Sequence, residues 1–157
     1  MEYTSDAAVD LPAFFADLVR CETRLYNALN DRLRARHGIV TSQFEFLRFL
    51  RDHPGARVAD VATEFAISIG ATSKSIDRLE KQGWAIRQPN PTDRRSSLLV
   101  LTDDGARLAA AAEETVAGEL AELIGGALDD ASASAAAQAF VALRSALERD
   151  QIGIPTG

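Results

Sequence analysis

Residues 84–101 read WAIRQPNPTDRRSSLLVL, and this stretch decides the fold. Two runs of strand-favouring residues, 84–88 and 96–101, flank the segment PNPTD at 89–93, whose prolines, asparagine and aspartate favour a turn. The pattern therefore predicts a β-hairpin, and two consecutive arginines follow the turn segment at its tip.

Two short helices are expected immediately before this hairpin. The first carries Val58, Val61, Ala62 and Phe65 on one helical face. Ser68 then caps a second helix that ends at Gly83. We expect one side of the second helix to be buried and the other to be exposed. The buried set is Ile69, Thr72, Ile76 and Leu79, and the exposed set is Gly70, Ser73, Lys74, Asp77 and Lys81.

Longer helices are predicted on both sides of this unit. Apolar residues recur every three or four positions from Asp10 to His37, with Asp10 as the N-cap. A helix starting at Ser42 is expected from a capping box with Glu45 and from its buried face, Phe44, Phe46, Leu47 and Leu50. After the hairpin, Thr102 caps a helix that runs to Ile124. A last helix runs from Asp129 or Asp130 to Arg149, with a stripe of Ala135, Ala139, Leu143 and Leu147.

The predicted fold class is mainly α with a small β-hairpin wing, a winged helix-turn-helix flanked by long dimerisation helices. We expect one structural domain. Its parts are a flexible N-terminus at 1–9, a dimerisation helix at 10–40, a DNA-binding region at 41–102, C-terminal dimerisation helices at 103–150 and a flexible tail at 151–157.

The distribution of charge indicates which surface meets an anion. The chain of 157 residues has a formal net charge of −6, which by itself argues against nucleic acid. Residues 68–102 nevertheless contain six basic and three acidic side chains, whereas residues 103–157 contain three basic and ten acidic ones. The helix-turn-helix and hairpin are therefore the basic part of an acidic protein.

Composition also narrows the class of protein. One cysteine and two histidines do not make a disulfide or a typical structural zinc site, so we expect no metal and no cofactor. Nucleophile-elbow, P-loop, zinc-protease and dinucleotide-binding motifs are all missing from the sequence, and we do not expect an enzyme. Apolar runs are too short for a membrane helix and no basic leader is present, so the cytoplasm is the expected compartment.

The sequence resembles the MarR family of bacterial transcription regulators. Asp93, Arg95, Leu101 and Thr102 fit the family's D-x-R-x5-L-T wing signature at every fixed position. The segments around Ser68 and 73–83 look like its recognition helix, and Gln43-Phe44 resembles the start of its second helix. Early in the recognition helix the family often has arginine and threonine, where this chain has Ile69 and Ala71.

This resemblance implies a homodimer, joined by the first helix and the last two, that binds a pseudo-palindromic operator in double-stranded DNA. Arg95 is then the minor-groove residue and Asp93 the side chain that orients it. A helix-turn-helix places its second helix in the major groove. Together these give the expected DNA-binding residues Ser68, Gly70, Ser73, Lys74, Arg78, Arg94 and Arg95.

The family resemblance further implies a repressor that a small phenolic or anionic ligand releases from DNA. The pocket is expected between the first two helices and the wing-bearing lobe, with Arg20, Arg24, His37 and Arg48 as candidate partners of an anion.

Two alternatives stay open at this stage. One is a winged-helix module that binds a partner protein. The other is a redox-sensing regulator that acts through the thiol of Cys21. We expect Cys21 instead to be a buried small hydrophobic residue, and His37 and His53 to lie at the C-terminal ends of helices.

Overall fold

The computed structural model describes residues 8–156. Residues 1–7 of the expected flexible N-terminus, and Gly157 of the expected tail, lie outside this range. The described chain contains six helices and one hairpin, in the order α1 (Leu11–His37), α2 (Thr41–Asp52), α3 (Val58–Phe65), α4 (Ile69–Lys81), β1 (Ala85–Pro89), β2 (Ser97–Leu101), α5 (Asp103–Gly125) and α6 (Asp130–Arg149). This is the predicted winged helix-turn-helix between long helices.

Side-chain caps define most helix starts, as the sequence predicted. Asp10, Ser68, Thr102 and Asp129 each accept a hydrogen bond from the backbone N–H three residues later. The four helices therefore begin where local chemistry satisfies a backbone donor that would otherwise have no partner.

The predicted start of α2 at Ser42 is wrong by one residue. The Gln43 side chain accepts a hydrogen bond from the Val40 N–H at 3.0 Å, and Asn30 of α1 accepts one from the Thr41 N–H at 2.8 Å. These two acceptors fix the first turn around Thr41, so Ser42 does not cap the helix with Glu45. The four aromatic and leucine residues expected on its inner face are all buried.

The wing is a two-stranded antiparallel sheet in which Ala85 pairs with Leu101 and Pro89 with Ser97. Pro89 was expected in the turn, but it lies at the end of β1. A proline is tolerated there because an edge strand does not need every N–H. Leu99 also forms a bridge to Ala56, which attaches the wing to the loop between α2 and α3.

The hydrophobic core lies between α1, α2, the helix-turn-helix of α3 and α4, the wing and α5. Its largest fully buried side chains come from all of these elements except α5, which contributes the smaller residues Ala109 and Ala112. Small side chains let α5 approach α1 and α2 closely. The core therefore ties the DNA-binding region to the long helices.

Both ends of the long-helix layer are uncovered in the single chain. Only Leu29 and Leu33 are buried in α1, and no residue of α6 is buried. Phe14, Phe140 and the stripe residue Leu143 all keep 42 to 49% of their surface exposed. The described chain thus presents a broad apolar face built from its first and last helices. No helix within residues 8–156 is long and apolar enough to cross a membrane.

Candidate nucleic-acid interface

The recognition helix α4 is anchored by one face and exposed on the other. Thr72, Ile76 and Leu79 are buried, and the Thr72 hydroxyl donates to the Ser68 carbonyl at 2.9 Å. Ser68 itself caps the helix by accepting from the Ala71 N–H. Gly70 and Lys74 are exposed, and Ser73 is half-buried. The contact residues predicted in the first two turns of α4 therefore lie at or near its exposed face.

Ile69 was expected on the buried side of α4, and this prediction is wrong. Its side chain is 61% exposed, because the first turn of the helix extends past the core that covers Thr72 and Ile76. An exposed isoleucine beside Gly70 and Lys74 offers an apolar contact, of the kind that recognises a thymine methyl group. Sequence reasoning missed this candidate because the spacing of Ile69 fits the buried stripe.

The wing tip is held in shape by its own side chains. The Asp93 carboxylate accepts a hydrogen bond from the Arg95 N–H at 2.9 Å, and Asn90 donates to Ser96 at 3.0 Å. Arg94 and Arg95 are exposed, and neither forms an ion pair within residues 8–156. Asp93 therefore orients the backbone of Arg95 and leaves its guanidinium group available.

Arg78 lies on α4 away from the wing. It lines a small depression of about 140 Å³ with Val40, Ser42 and Gln43 at the start of α2. The depression joins the exposed part of α4 to the N-terminal end of α2. Arg78 thus extends the basic surface of α4 toward the start of α2.

Arg87 joins the wing to the recognition helix. Its guanidinium lies 2.8 Å from an Asp77 oxygen and 3.0 Å from a Glu80 oxygen, and the Arg87 N–H also donates to Glu80. Arg87 therefore offsets one of the two negative charges that Asp77 and Glu80 place on α4. The sequence does not reveal this role of Arg87, because its partners lie on another element of the chain.

The base of the wing is fixed to α5 through a close contact. The Thr102 N–H donates to the Trp84 carbonyl at 3.0 Å, and the Thr102 hydroxyl donates to the Gly83 carbonyl at 2.6 Å. Gly105 packs so closely on Trp84 that a β-carbon there would overlap the Trp84 backbone. The position of the wing is therefore set by α5.

The four candidate partners of an anionic ligand do not converge. His37 lies 2.8 Å from Thr115 on α5, and Arg48 lies 3.3 Å from Glu113. Arg20 is exposed, 3.9 Å from Asp17, and Arg24 is also exposed on α1. Arg20 and Arg24 share one face of α1, four residues apart, whereas His37 and Arg48 contact different residues of α5.

A large cleft lies instead on another side of α1. It has a volume of about 750 Å³ and is open to solvent. This size falls within the range of small-molecule sites, which is about 300 to 1,000 Å³. Its walls come from all six helices and from the turn before α4, and they are mostly apolar. None of Arg20, Arg24, His37 and Arg48 lines this cleft.

Cys21 borders the cleft and is exposed, so the expectation that it is buried is wrong for the single chain. The reason is that its face of α1 has no covering element within residues 8–156. His37 and His53 do lie at helix ends, as expected, with His37 closing α1 and His53 capping α2.

An ion-pair cluster connects the DNA-binding region to α5. Glu113 lies 2.6 Å from Arg51 and 3.3 Å from Arg48, both on α2. Hydrogen bonding to Arg51 lowers the pKa of Glu113 below its ordinary value, and the same bond raises the pKa of Arg51. Arg32 of α1 pairs with Glu119 one to two turns further along α5.

Comparison with known proteins places this architecture among transcription regulators. Residues 39–97 match the sequence profile of the MarR family. The multiple antibiotic resistance protein MarR of Salmonella typhimurium is 32% identical over 88 residues, which make up 54% of this chain and 61% of that protein. The matched region thus spans about three fifths of the length of that relative.

Two solved structures extend the likeness over most of the chain. The transcriptional repressor CouR, bound to a 23-mer DNA duplex, is 30% identical with a TM-score of 0.68, covering 80% of this chain and 89% of that one. Sco3205, a MarR family regulator from Streptomyces coelicolor in complex with DNA, is 20% identical with a TM-score of 0.81, covering 92% and 91%. The second likeness is one of fold alone.

Proposed function

Because the chain belongs to the MarR family, we propose that it is a sequence-specific regulator of transcription that binds double-stranded DNA. The observation that carries the proposal is the pair of exposed arginines at the wing tip beside the exposed first turns of α4. In this arrangement α4 enters the major groove through Ser68, Gly70, Ser73 and Lys74. Arg94 and Arg95 reach the minor groove or the phosphates next to it.

The described geometry favours this function over the protein-interaction alternative. Asp77 and Glu80 are both paired with Arg87, whereas Arg94 and Arg95 have no ion-pair partner among residues 8–156. A surface that keeps its cations unpaired and its acids paired is complementary to phosphate. No catalytic role is part of the proposal, and a further curated relative is named HTH-type transcriptional regulator MhqR.

We further propose that the active form is a homodimer on a pseudo-palindromic operator. The apolar face of α1 and α6 leaves several large hydrophobic side chains exposed in the single chain, as is typical of an interaction surface. A two-fold pairing through this face would cover Phe14, Phe140 and Leu143 and place two α4 helices about 34 to 36 Å apart, one turn of DNA. The same proposal includes repression of transcription. It also includes location in the cytoplasm, because such a protein meets its operator there.

Release from DNA by a small molecule is the regulatory part of the proposal. The cleft between α1, α2 and α5 supports it, because a ligand there would touch both the DNA-binding region and the long helices. The anion partners expected from the sequence lie outside this cleft. The residues that line the cleft therefore determine which ligand charge it favours.

Selection from a pool of random DNA duplexes, using the full-length protein, tests DNA recognition. We expect enrichment of an inverted repeat whose half-sites lie about 10 bp apart. The enriched duplex should then compete at least about tenfold better than a scrambled duplex of the same composition. A pool that stays random after repeated rounds would contradict the proposal and favour the protein-interaction module.

Replacing Cys21 with serine tests the thiol-sensing alternative. If the thiol has no sensing role, the variant binds the selected duplex as the parent does, before and after peroxide treatment. Peroxide-induced release that occurs in the parent and is lost in Cys21→Ser would instead support redox sensing through this residue.

A further inference from the structure

The cleft described above has one charged end. Its walls are formed by side chains such as Leu18, Leu29, Phe46 and Ile124. Among residues 8–156, only two charged residues line it, Glu22 of α1 and Glu45 of α2, and both are acidic. Within this part of the chain, the cleft is thus apolar with two carboxylates and without a lining cation.

The acidic end also includes a phenol. Tyr26 and Ser42 line the cleft together with Glu45 and Glu22. Burial is the main cause that raises the pKa of Tyr26, and the negative charges of Glu45 and Glu22 raise it further. Tyr26, Ser42 and Glu45 therefore form one polar cluster, with Glu22 close by.

The carboxylate of Glu45 is incompletely compensated. Burial raises its pKa, and the attraction of Arg48 only partly opposes this. Arg48 is on the outside of the cleft, where its guanidinium pairs with Glu113 at 3.3 Å. A positive group inside the cleft would add an attraction on Glu45 that no cleft-lining residue among 8–156 supplies.

A ligand anion would meet the opposite situation. Its charge would lie near two carboxylates, and like charges repel. A cation gains attraction from the same carboxylates, and it also interacts favourably with aromatic ring faces such as that of Tyr26. The apolar walls require a hydrophobic body next to that charge.

We propose that this cleft binds an amphipathic organic cation, an apolar and preferably aromatic body with a protonated amine placed beside Glu22 and Glu45. Its role as the signal that releases DNA rests on the proposed function, whereas the binding itself does not. The charge is opposite to that of the anionic ligand implied by the family resemblance.

Isothermal titration calorimetry on the full-length protein, without DNA, tests the proposal with three probes of equal body. These are 4-phenylbutylamine, 4-phenylbutan-1-ol and 4-phenylbutyrate, which carry a positive, neutral and negative head. We expect the amine to bind about tenfold more tightly than the alcohol, as a charge-assisted hydrogen bond exceeds a neutral one. The carboxylate should bind more weakly than the alcohol.

Glu45→Gln is the decisive variant, and Glu114→Gln, which removes the same charge from an exposed site on α5 outside the cleft, is its control. We expect Glu45→Gln to remove the advantage of the amine while the alcohol still binds, and Glu114→Gln to change neither. Glu22→Gln provides a second test if Glu45→Gln does not fold.

Three results would overturn the proposal. They are tightest binding by the carboxylate, an amine advantage that survives both cleft variants, and no binding by any probe because a second copy of the chain fills the cleft. Binding to the selected DNA duplex is measured separately. Amine binding without duplex binding would contradict only the proposed function. Duplex binding without amine binding would contradict only this inference.

Discussion

Replacing Gly105 with alanine should destabilise the protein, although alanine is the better helix former. Gly105 is buried in the first turn of α5. A β-carbon there would lie 2.9 Å from the carbonyl carbon of Trp84 and closer still to its oxygen. Both neighbours are backbone atoms, and that oxygen already accepts the hydrogen bond from the Thr102 N–H. The wing base and α5 must therefore move apart.

The opposing contributions have known sizes. Overpacking of a tight site costs about 1 to 3 kcal/mol, and loss of the hydrogen bond between Thr102 and Trp84 costs about 1 kcal/mol. The gain in helix propensity from glycine to alanine is at most about 1 kcal/mol. The net loss in the free energy of unfolding should be about 1 to 3 kcal/mol.

Gly118 offers a matched control in the same helix. A β-carbon at Gly118 would meet no atom within 4 Å, so only the propensity gain of about 0.5 to 1 kcal/mol remains. The same substitution should thus have opposite signs at Gly105 and Gly118.

Urea unfolding followed by circular dichroism measures both variants. The protein concentration must be held equal, because the stability of a dimer depends on it. Gly105→Ala should also bind the selected duplex more weakly, since its wing is displaced from α4. Unchanged or increased stability of Gly105→Ala would refute the close contact at Trp84, as would an equal loss in both variants.

Three further predictions concern the wing, the ion pairs and the dimer. Arg95→Ala should weaken duplex binding about 10- to 100-fold in a gel-shift titration. Arg107→Ala removes an equal charge from α5 and should leave duplex binding unchanged. Equal effects of the two substitutions would argue against a groove contact by Arg95. The lowered pKa of Glu113 means that its pairing with Arg51 stabilises the fold fully above the ordinary pKa and is lost as the pH falls through the lowered one. Urea unfolding of Glu113→Gln should therefore show a shallower loss of stability below about pH 4.5 than the parent, and parallel curves would contradict this. Truncation after Gly125 removes α6, which has no buried residue in the single chain. It should abolish dimerisation, as measured by light scattering, and operator binding. A truncated chain that stays dimeric would contradict the assigned interface.

Local features were predictable because their chemistry is local. Ser68 and Thr102 cap the helices that follow them, as the sequence predicted, because a capping side chain needs only a backbone N–H three residues away. The hairpin followed from its turn residues in the same way. The start of α2 was misplaced because a distant acceptor, Asn30, takes part in fixing it.

Features that depend on tertiary contacts were not predictable. Arg87 pairs with acids on another element, and no sequence spacing reveals that pairing. Ile69 fits a buried stripe by periodicity, but the core does not reach it. Cys21 lies on a face that the single chain leaves uncovered. The anion partners failed to converge because formal charge does not specify where a side chain lies in the fold.

The salt dependence of binding to the selected duplex tests the central claim most directly. If the surface of α4 and the wing neutralises phosphates, the logarithm of the association constant should fall linearly with the logarithm of salt concentration. The slope should be about −0.9 for each phosphate neutralised. Two copies with several contacts each should give a steep line, and Lys74→Ala should make it shallower. A flat dependence for the full-length protein would contradict DNA binding through this surface.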